Sequence, residues 1–305
     1  MTAATSSKPD TGGRSGSRGR SGARVRSAAA GWFLLLPALL LIVLFFIVPM
    51  VIFFRYGFGT TEDNGIGDSG FTLEHYKSFL TDGYYTGILL STVKIAAIAT
   101  VFSVLVSYPL AYAMWRTDSD WLRVTLGVVA FLPMLVSSVV RAYGWQVVLA
   151  DHGPLAWFLK VTHLSDHPPE LLFQTSGVVI GMVHMFLPFV VYPVYTSLQQ
   201  IEPEVLESSS DLGASWFTTF RRVTFRLSLP GLVAGAQICF TLVLGSLVIP
   251  SILGGGRVKF LPVTIYNDTS SVEWPIASVE STVLLVGALV AVLVFGAVSR
   301  RTKVN

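Results

Sequence analysis

Charge is scarce in this sequence. Only 13% of its 305 residues are Asp, Glu, Lys or Arg, against about 25% in an ordinary soluble domain. That leaves too little polar surface to coat a water-soluble particle of this length. With 52% apolar residues gathered in long blocks, lipid is the expected solvent. Cysteine is nearly absent. Cys239 stands alone in an apolar stretch, which excludes an intramolecular disulfide and a cysteine-based metal site. No G-x-x-x-x-G-K-[ST] run occurs, and Gly254, Gly255 and Gly256 lack the lysine that would follow. ATP hydrolysis is therefore not expected in this chain. No Ser-His-Asp arrangement stands out, so no catalytic residue is assigned. His152, His163 and His167 share one connection with Asp151, Asp166 and Glu170, but their spacings match no zinc signature, and no metal site is assigned.

What is present is apolar and comes in segments. Residues 1–30 are mostly Ser, Gly, Arg and Ala, and a disordered basic tail is expected there. Lys8, Arg14, Arg18, Arg20, Arg24 and Arg26 stand against one acid, Asp10. Such a tail suits nucleic acid or a membrane surface. This one runs straight into an uncharged block, 32–54, and carries no aromatic or folded module, so it reads as an orientation signal and nucleic acid is not a partner. The block is long enough for a bilayer span of about 20 residues and exceeds the ~7–15-residue core of a signal peptide. Further blocks at 95–114, 124–140, 178–198, 231–252 and 277–298 make six spans. The expected fold is all-α, one six-helix membrane domain over 31–299, with a short tail at 300–305. Pro109, Pro133, Pro188 and Pro193 lie in or near the blocks. Neighbouring helices take up the carbonyls a proline frees, so kinks rather than breaks are expected.

Orientation follows from Lys and Arg in the connections. Arg116, Arg123, Arg221, Arg222, Arg226, Arg300, Arg301 and Lys303 share a side with the basic tail. Arg55, Lys77, Arg141, Lys160, Arg257 and Lys259 are spread over longer, acid-rich loops on the other. The richer side is expected to be cytoplasmic, with both termini inside.

The most informative segment is the connection 201–231 between the fourth and fifth blocks. Pro203 suits a first helical position, and Glu202 and Glu204 complement the positive helix start. Gly213 is placed to end that helix in a left-handed conformation. Ser215 caps the next one. Trp216, Phe217 and Phe220 give the second helix an apolar side, Arg221 and Arg222 follow, and Pro230 begins the fifth span. An ordered helix–turn–helix in a wet loop suits docking to a partner. A hairpin lying on the headgroups is the alternative.

This loop resembles the E-A-A loop of the permease subunits of binding-protein-dependent ABC importers. That pattern reads Glu-Ala-Ala, three residues, Gly, nine residues, an apolar residue, one more, Leu and Pro. Glu207, Gly213 and Val223 fall on its Glu, Gly and apolar positions. Ser208 and Ser209 replace the alanines with small residues, and Phe225-Arg226 replaces the Leu-Pro that would bend the chain after the second helix, though Leu229-Pro230-Gly231 follows closely. S-Y-P-L-A-Y (107–112), V-R-A-Y-G-W (140–145), D-L-G-A-S, F-R-R-V-T and L-S-L-P-G are similar to segments of the spermidine/putrescine-type permeases.

The resemblance implies a bacterial inner-membrane permease working by alternating access. Its partners would be a second, homologous permease, two cytoplasmic ATPase subunits that use ATP and Mg, and an extracytoplasmic binding protein. No cofactor is implied in this chain. The loop 201–230, and in it Glu207, Ser208, Ser209, Gly213, Arg221 and Arg222, would couple it to the ATPase. Candidates for the solute path are Glu280, the one acid placed near a span, and Tyr143, Trp145, Phe186, Tyr192 and Tyr195, whose rings attract cations. Tyr and Trp also form interfacial belts, which is the plainer role for them. Another small cargo (ferric iron, thiamine, an opine or a phosphonate) and a stand-alone secondary carrier remain open.

Overall fold

A backbone in lipid has no water to satisfy its N–H and C=O groups, so an apolar chain closes its hydrogen bonds within helices. The computed structural model describes residues 36, 37, 39–60, 70–165 and 169–303, and every regular element among them is helical. The tail 1–30, the start of the first block at residue 32, Asp166, His167 and the last two residues lie outside the described residues. The chain parts into two compact units between Phe53 and Phe54.

The first helix, α1 (Leu39–Tyr56), is of spanning length and uncharged until Arg55 in its last turn. Beyond it, α2 (Glu74–Thr81) leads into α3 (Gly83–Arg116), which starts where the Asp82 carboxylate accepts the Tyr84 N–H at 2.8 Å. Next come α4 (Asp120–Leu135), α5 (Ser138–Leu149) and α6 (Pro154–Val161). They are followed by α7 (Thr175–Phe186), α8 (Pro188–Gln199) and α9 (Pro203–Asp211). The chain closes with α10 (Trp216–Leu244), α11 (Val248–Gly254), α12 (Leu261–Ser270) and α13 (Trp274–Lys303). Among the described residues, α1, α3, α10 and α13 can each cross a bilayer. The bent pair α7–α8 and the bent stretch from α4 through α6 bring the total to six if each is one span.

Two spans depart from expectation. The third does not continue to residue 140: α4 ends at Leu135, and the chain turns by 104° before α5. Pro133 removes one helical hydrogen bond, and Val136 then adopts an extended conformation. The freed end is held by Arg141, whose Nη2 donates to the Val136 carbonyl at 3.0 Å. The fifth does not begin at Pro230 or reach residue 252. Pro230 lies inside α10, and the chain leaves that helix at Gly245 before the separate α11. Here Ser197 Oγ, from the neighbouring α8, donates to the Leu227 carbonyl at 3.3 Å, so the proline is absorbed. Pro109 likewise interrupts nothing in α3. Pro188 behaves as a kink: α7 and α8 meet there at 46°, and Ser107 Oγ of α3 donates to the Leu187 carbonyl at 3.3 Å.

The main core joins α3, α7, α8, α10 and α11, with Ile95, Ala99, Met182, Val190, Cys239 and Leu253 fully enclosed or nearly so. Gly231 makes the closest approach possible, since a Cβ there would overlap the Pro193 carbonyl oxygen and the Ser197 side chain. A smaller core of Phe79, Ile88, Leu261 and Val279 ties α2, α3, α12 and α13 together. The Leu261 N–H donates to Thr92 Oγ1 at 2.8 Å across it.

Candidate functional site

The connection between α8 and α10 is a rigid corner. Pro203 opens α9, where a missing N–H costs nothing, and Glu204 sits in its first turn. The helix ends in a Schellman motif: Gly213 N–H donates to the Ser210 carbonyl at 2.8 Å and Ala214 N–H to that of Ser209 at 3.1 Å. Gly213 has φ +75°, and nothing lies within 4 Å of where its Cβ would be. Its backbone conformation, rather than crowding, calls for glycine. Ser215 Oγ accepts the Thr218 N–H at 3.4 Å and caps α10. Ser209 and Thr219 share a hydroxyl hydrogen bond of 2.8 Å that pins α9 to α10.

An aromatic cluster anchors the corner to α3. Trp216 stacks on Phe220 with centroids 5.8 Å apart. Phe220 meets Tyr112 edge-on at 5.3 Å, and Tyr108 meets Phe225 at 5.6 Å. Tyr108 Oη and Ser228 Oγ share a hydrogen bond of 3.1 Å. The tyrosines of S-Y-P-L-A-Y and the phenylalanines around F-R-R-V-T, read in the sequence as separate resemblances, thus form one joint. At Phe220–Thr224 the backbone takes a π-helical turn, and the helix then runs on into the bundle. The helix does not break where Leu-Pro would stand.

Around this anchor the corner stays apolar and exposed. Leu212 is 88% exposed, and Trp216 and Phe217 are each 62% exposed. A groove of about 800 Å³ runs between Val205 and Leu212 on one side and Thr218 and Val223 on the other. Ser208, Ser209, Gly213 and Arg222 line it; Glu207 and Arg221 are exposed but do not.

The predicted solute-path residues are not brought together, and several have structural partners. Tyr192 Oη donates to the Gly127 carbonyl at 2.9 Å, and Tyr195 Oη accepts from Gln199 Nε2 at 3.0 Å. Phe186 is 5% exposed within the main core, while Tyr143 is 56% exposed. Trp145 Nε1 donates to His184 Nδ1 at 3.1 Å. His184 was not singled out in the sequence, where a lone histidine in an apolar helix gives no signal. Both residues line an apolar groove of about 660 Å³ with Ile98, Phe102 and Val183. Glu280 is fully buried in α13, and neither carboxylate oxygen has a hydrogen-bond partner.

A bundle of this kind, with a rigid apolar corner on one loop, is the membrane part of a transport machine. The chain belongs to the family described as the binding-protein-dependent transport system inner membrane component, which it matches over residues 107–304. Within that family it is similar to the spermidine/putrescine transport system permease protein PotB of Escherichia coli (strain K12). They are 30% identical over 260 residues, or 85% of this chain and 94% of that one. The permease protein PotC of the same strain is 26% identical over 261 residues, covering 85% and 91%. In fold it resembles a chain of a bacterial alginate ABC transporter in complex with an alginate pentasaccharide-bound periplasmic protein. The TM-score is 0.73 at 18% identity, over 93% of this chain and 98% of the other. The protein is therefore an inner-membrane component of a transport system, and not an enzyme.

Proposed function

We propose that this chain is one of two permease subunits of an ATP-driven importer for aliphatic polyamines, with both termini in the cytoplasm. The observation that carries the reading is the corner at 203–224, rigid in backbone yet exposing Leu212, Trp216 and Phe217. A surface that is both preorganised and apolar suits a protein partner, because little ordering entropy remains to be lost on docking. That partner is a pair of cytoplasmic ATPase subunits, which use ATP and Mg. This chain supplies no nucleotide site and needs no cofactor.

Lys and Arg favour the same side for this corner and both termini. PotB and PotC are both named as permease proteins of spermidine/putrescine transport, which supports a similar second permease here and a polyamine cargo. A binding protein outside the membrane delivers the solute. Closure of the ATPase pair pushes on the corner around Gly213, and the two permeases rock between outward- and inward-facing states. Glu207, Ser208, Ser209, Arg221 and Arg222 surround the contact.

The test is affinity purification of the tagged chain in mild detergent, then uptake of labelled spermidine by liposomes containing the preparation. Co-purification of an ATPase and a second permease, with ATP-dependent uptake, is the expected result. A stable preparation without an ATPase that still moves solute would replace this reading with a secondary carrier.

A further inference from the structure

The smaller core contains a group that its surroundings do not satisfy. Glu280 is 0% exposed, and both of its carboxylate oxygens lack a hydrogen-bond partner. An ionisable side chain left so inside a membrane bundle is costly unless another group completes it. A second acid, Asp268 on α12, acts on it electrostatically. Burial, and then the charge of Glu273 at the α12–α13 turn, pushes the Asp268 carboxyl above its usual range. Two coupled carboxylates resist being charged together, and a cation between them removes the conflict.

A cavity on the same two helices has a definite character, although neither acid itself lines it. It measures about 570 Å³ and opens between α10, α12 and α13. Its wall includes Thr269 and Ser281, the residues next to Asp268 and Glu280 in the chain. The rest is mainly apolar, with Ile265, Leu244 and Leu284, and the ring of Tyr266 stands in the wall, 59% exposed overall. Among the described residues, no three His, Cys, Asp or Glu side chains converge as metal ligands would. Two carboxyls beside a long apolar wall with a few hydroxyls suit an ammonium group carried on an alkyl chain. A bare divalent ion would need a cage of about six oxygens.

We infer that Glu280 and Asp268 form a cation subsite on the solute path, which holds one ammonium of an aliphatic amine while its methylenes lie along the cavity between α10, α12 and α13. The inference rests on the polyamine reading above. Glu280 is enclosed in the conformation described, so the amine reaches it when α12 and α13 move apart, and the subsite is filled in one state of the cycle and emptied in the other.

The test is uptake of labelled spermidine and putrescine by the complete importer in ATP-loaded proteoliposomes. Glu280→Gln is compared with wild type at equal membrane level and equal recovery of partner subunits. We expect the maximal rate of spermidine uptake from saturated binding protein to fall by about tenfold, with a smaller change in half-saturation, and Glu280→Asp to recover part of it. Asp268→Asn, on a short helix where the side chain is half-buried, should shift it in the same direction, by about threefold. That variant also decides the matter if Glu280→Gln does not accumulate. Glu74→Gln, an exposed acid on α2, should change nothing. An unchanged maximal rate in Glu280→Gln, or in Asp268→Asn if that must stand in, overturns the subsite while leaving the polyamine reading in place. Wild-type importer that moves neither amine overturns both.

Discussion

Around Gly213 the chain holds large apolar side chains out of its core; around Glu280 it holds a carboxyl inside one. The first region leaves Leu212 88% exposed in a loop with its backbone bonds made and its caps in place. The second leaves Glu280 fully enclosed with both oxygens unbonded. Neither arrangement lowers the free energy of the isolated chain. Apolar surface in water and an unpaired polar group away from water each carry a penalty of order 1–3 kcal/mol. The difference lies in what removes the penalty. On the readings proposed above, a broad apolar partner that stays would do so at the corner, and a small cation that comes and goes would do so at the acid pair.

Substitutions can pull the two apart. The largest effect is expected at Gly213, where φ is +75°. Gly213→Pro demands φ near about −65° and costs roughly 3 kcal/mol or more, so uptake should fall about 100-fold with membrane level unchanged. Gly213→Asn, which tolerates the left-handed region, should keep most of it. Full uptake by the proline variant would sever the corner from transport. Next is Trp216→Ala, which loses one ring stack on Phe220 and so lowers the chain's own stability by only about 0.5–1.5 kcal/mol, but weakens ATPase capture by about 30-fold, the ~2 kcal/mol of an interface anchor. Equal loss of both would make Trp216 a fold residue.

Phe220→Ala acts on the joint rather than the surface. It removes ring contacts to Trp216, Tyr112 and Tyr108, each worth about 0.5–1.5 kcal/mol. ATP hydrolysis by the assembled importer should continue while uptake drops about tenfold, and parallel loss of the two rates would refute the joint. The smallest change is Tyr108→Phe, which deletes only the 3.1 Å bond to Ser228. It should lower stability in detergent by about 1 kcal/mol with uptake changed less than threefold.

The corner was readable because its signals are local. Pro203, Gly213 and Ser215 each act within a turn of their own position, and each does in the structure what its residue type demands. The apolar blocks were readable for the same reason, since hydropathy sums along the chain. Helix ends in the third and fifth spans were not. Pro133 precedes a 104° turn while Pro230 precedes none, and at Pro230 the stabilising partner is distant in sequence: Ser197 on Leu227, 30 positions away. The contacts of the aromatic candidates were hidden in the same way. Tyr192 is held by Gly127, 65 positions away, and no periodicity marks that bond. Glu280 stood out by rarity alone; its lack of partners and the nearness of Asp268 needed coordinates.

The unbroken run of helix from Trp216 to Leu244 has a mechanical consequence. Its 29 residues make a rod about 44 Å long. The π turn at Phe220–Thr224 changes its winding without ending the helix. A helix without a break passes a push along its length by sliding or tipping. Tipped by roughly 10° about its middle, it would carry each end about 4 Å, in opposite directions. Thr241, Leu244 and Gly245, in the wall of the cavity between α10, α12 and α13, lie at the far end of that stroke.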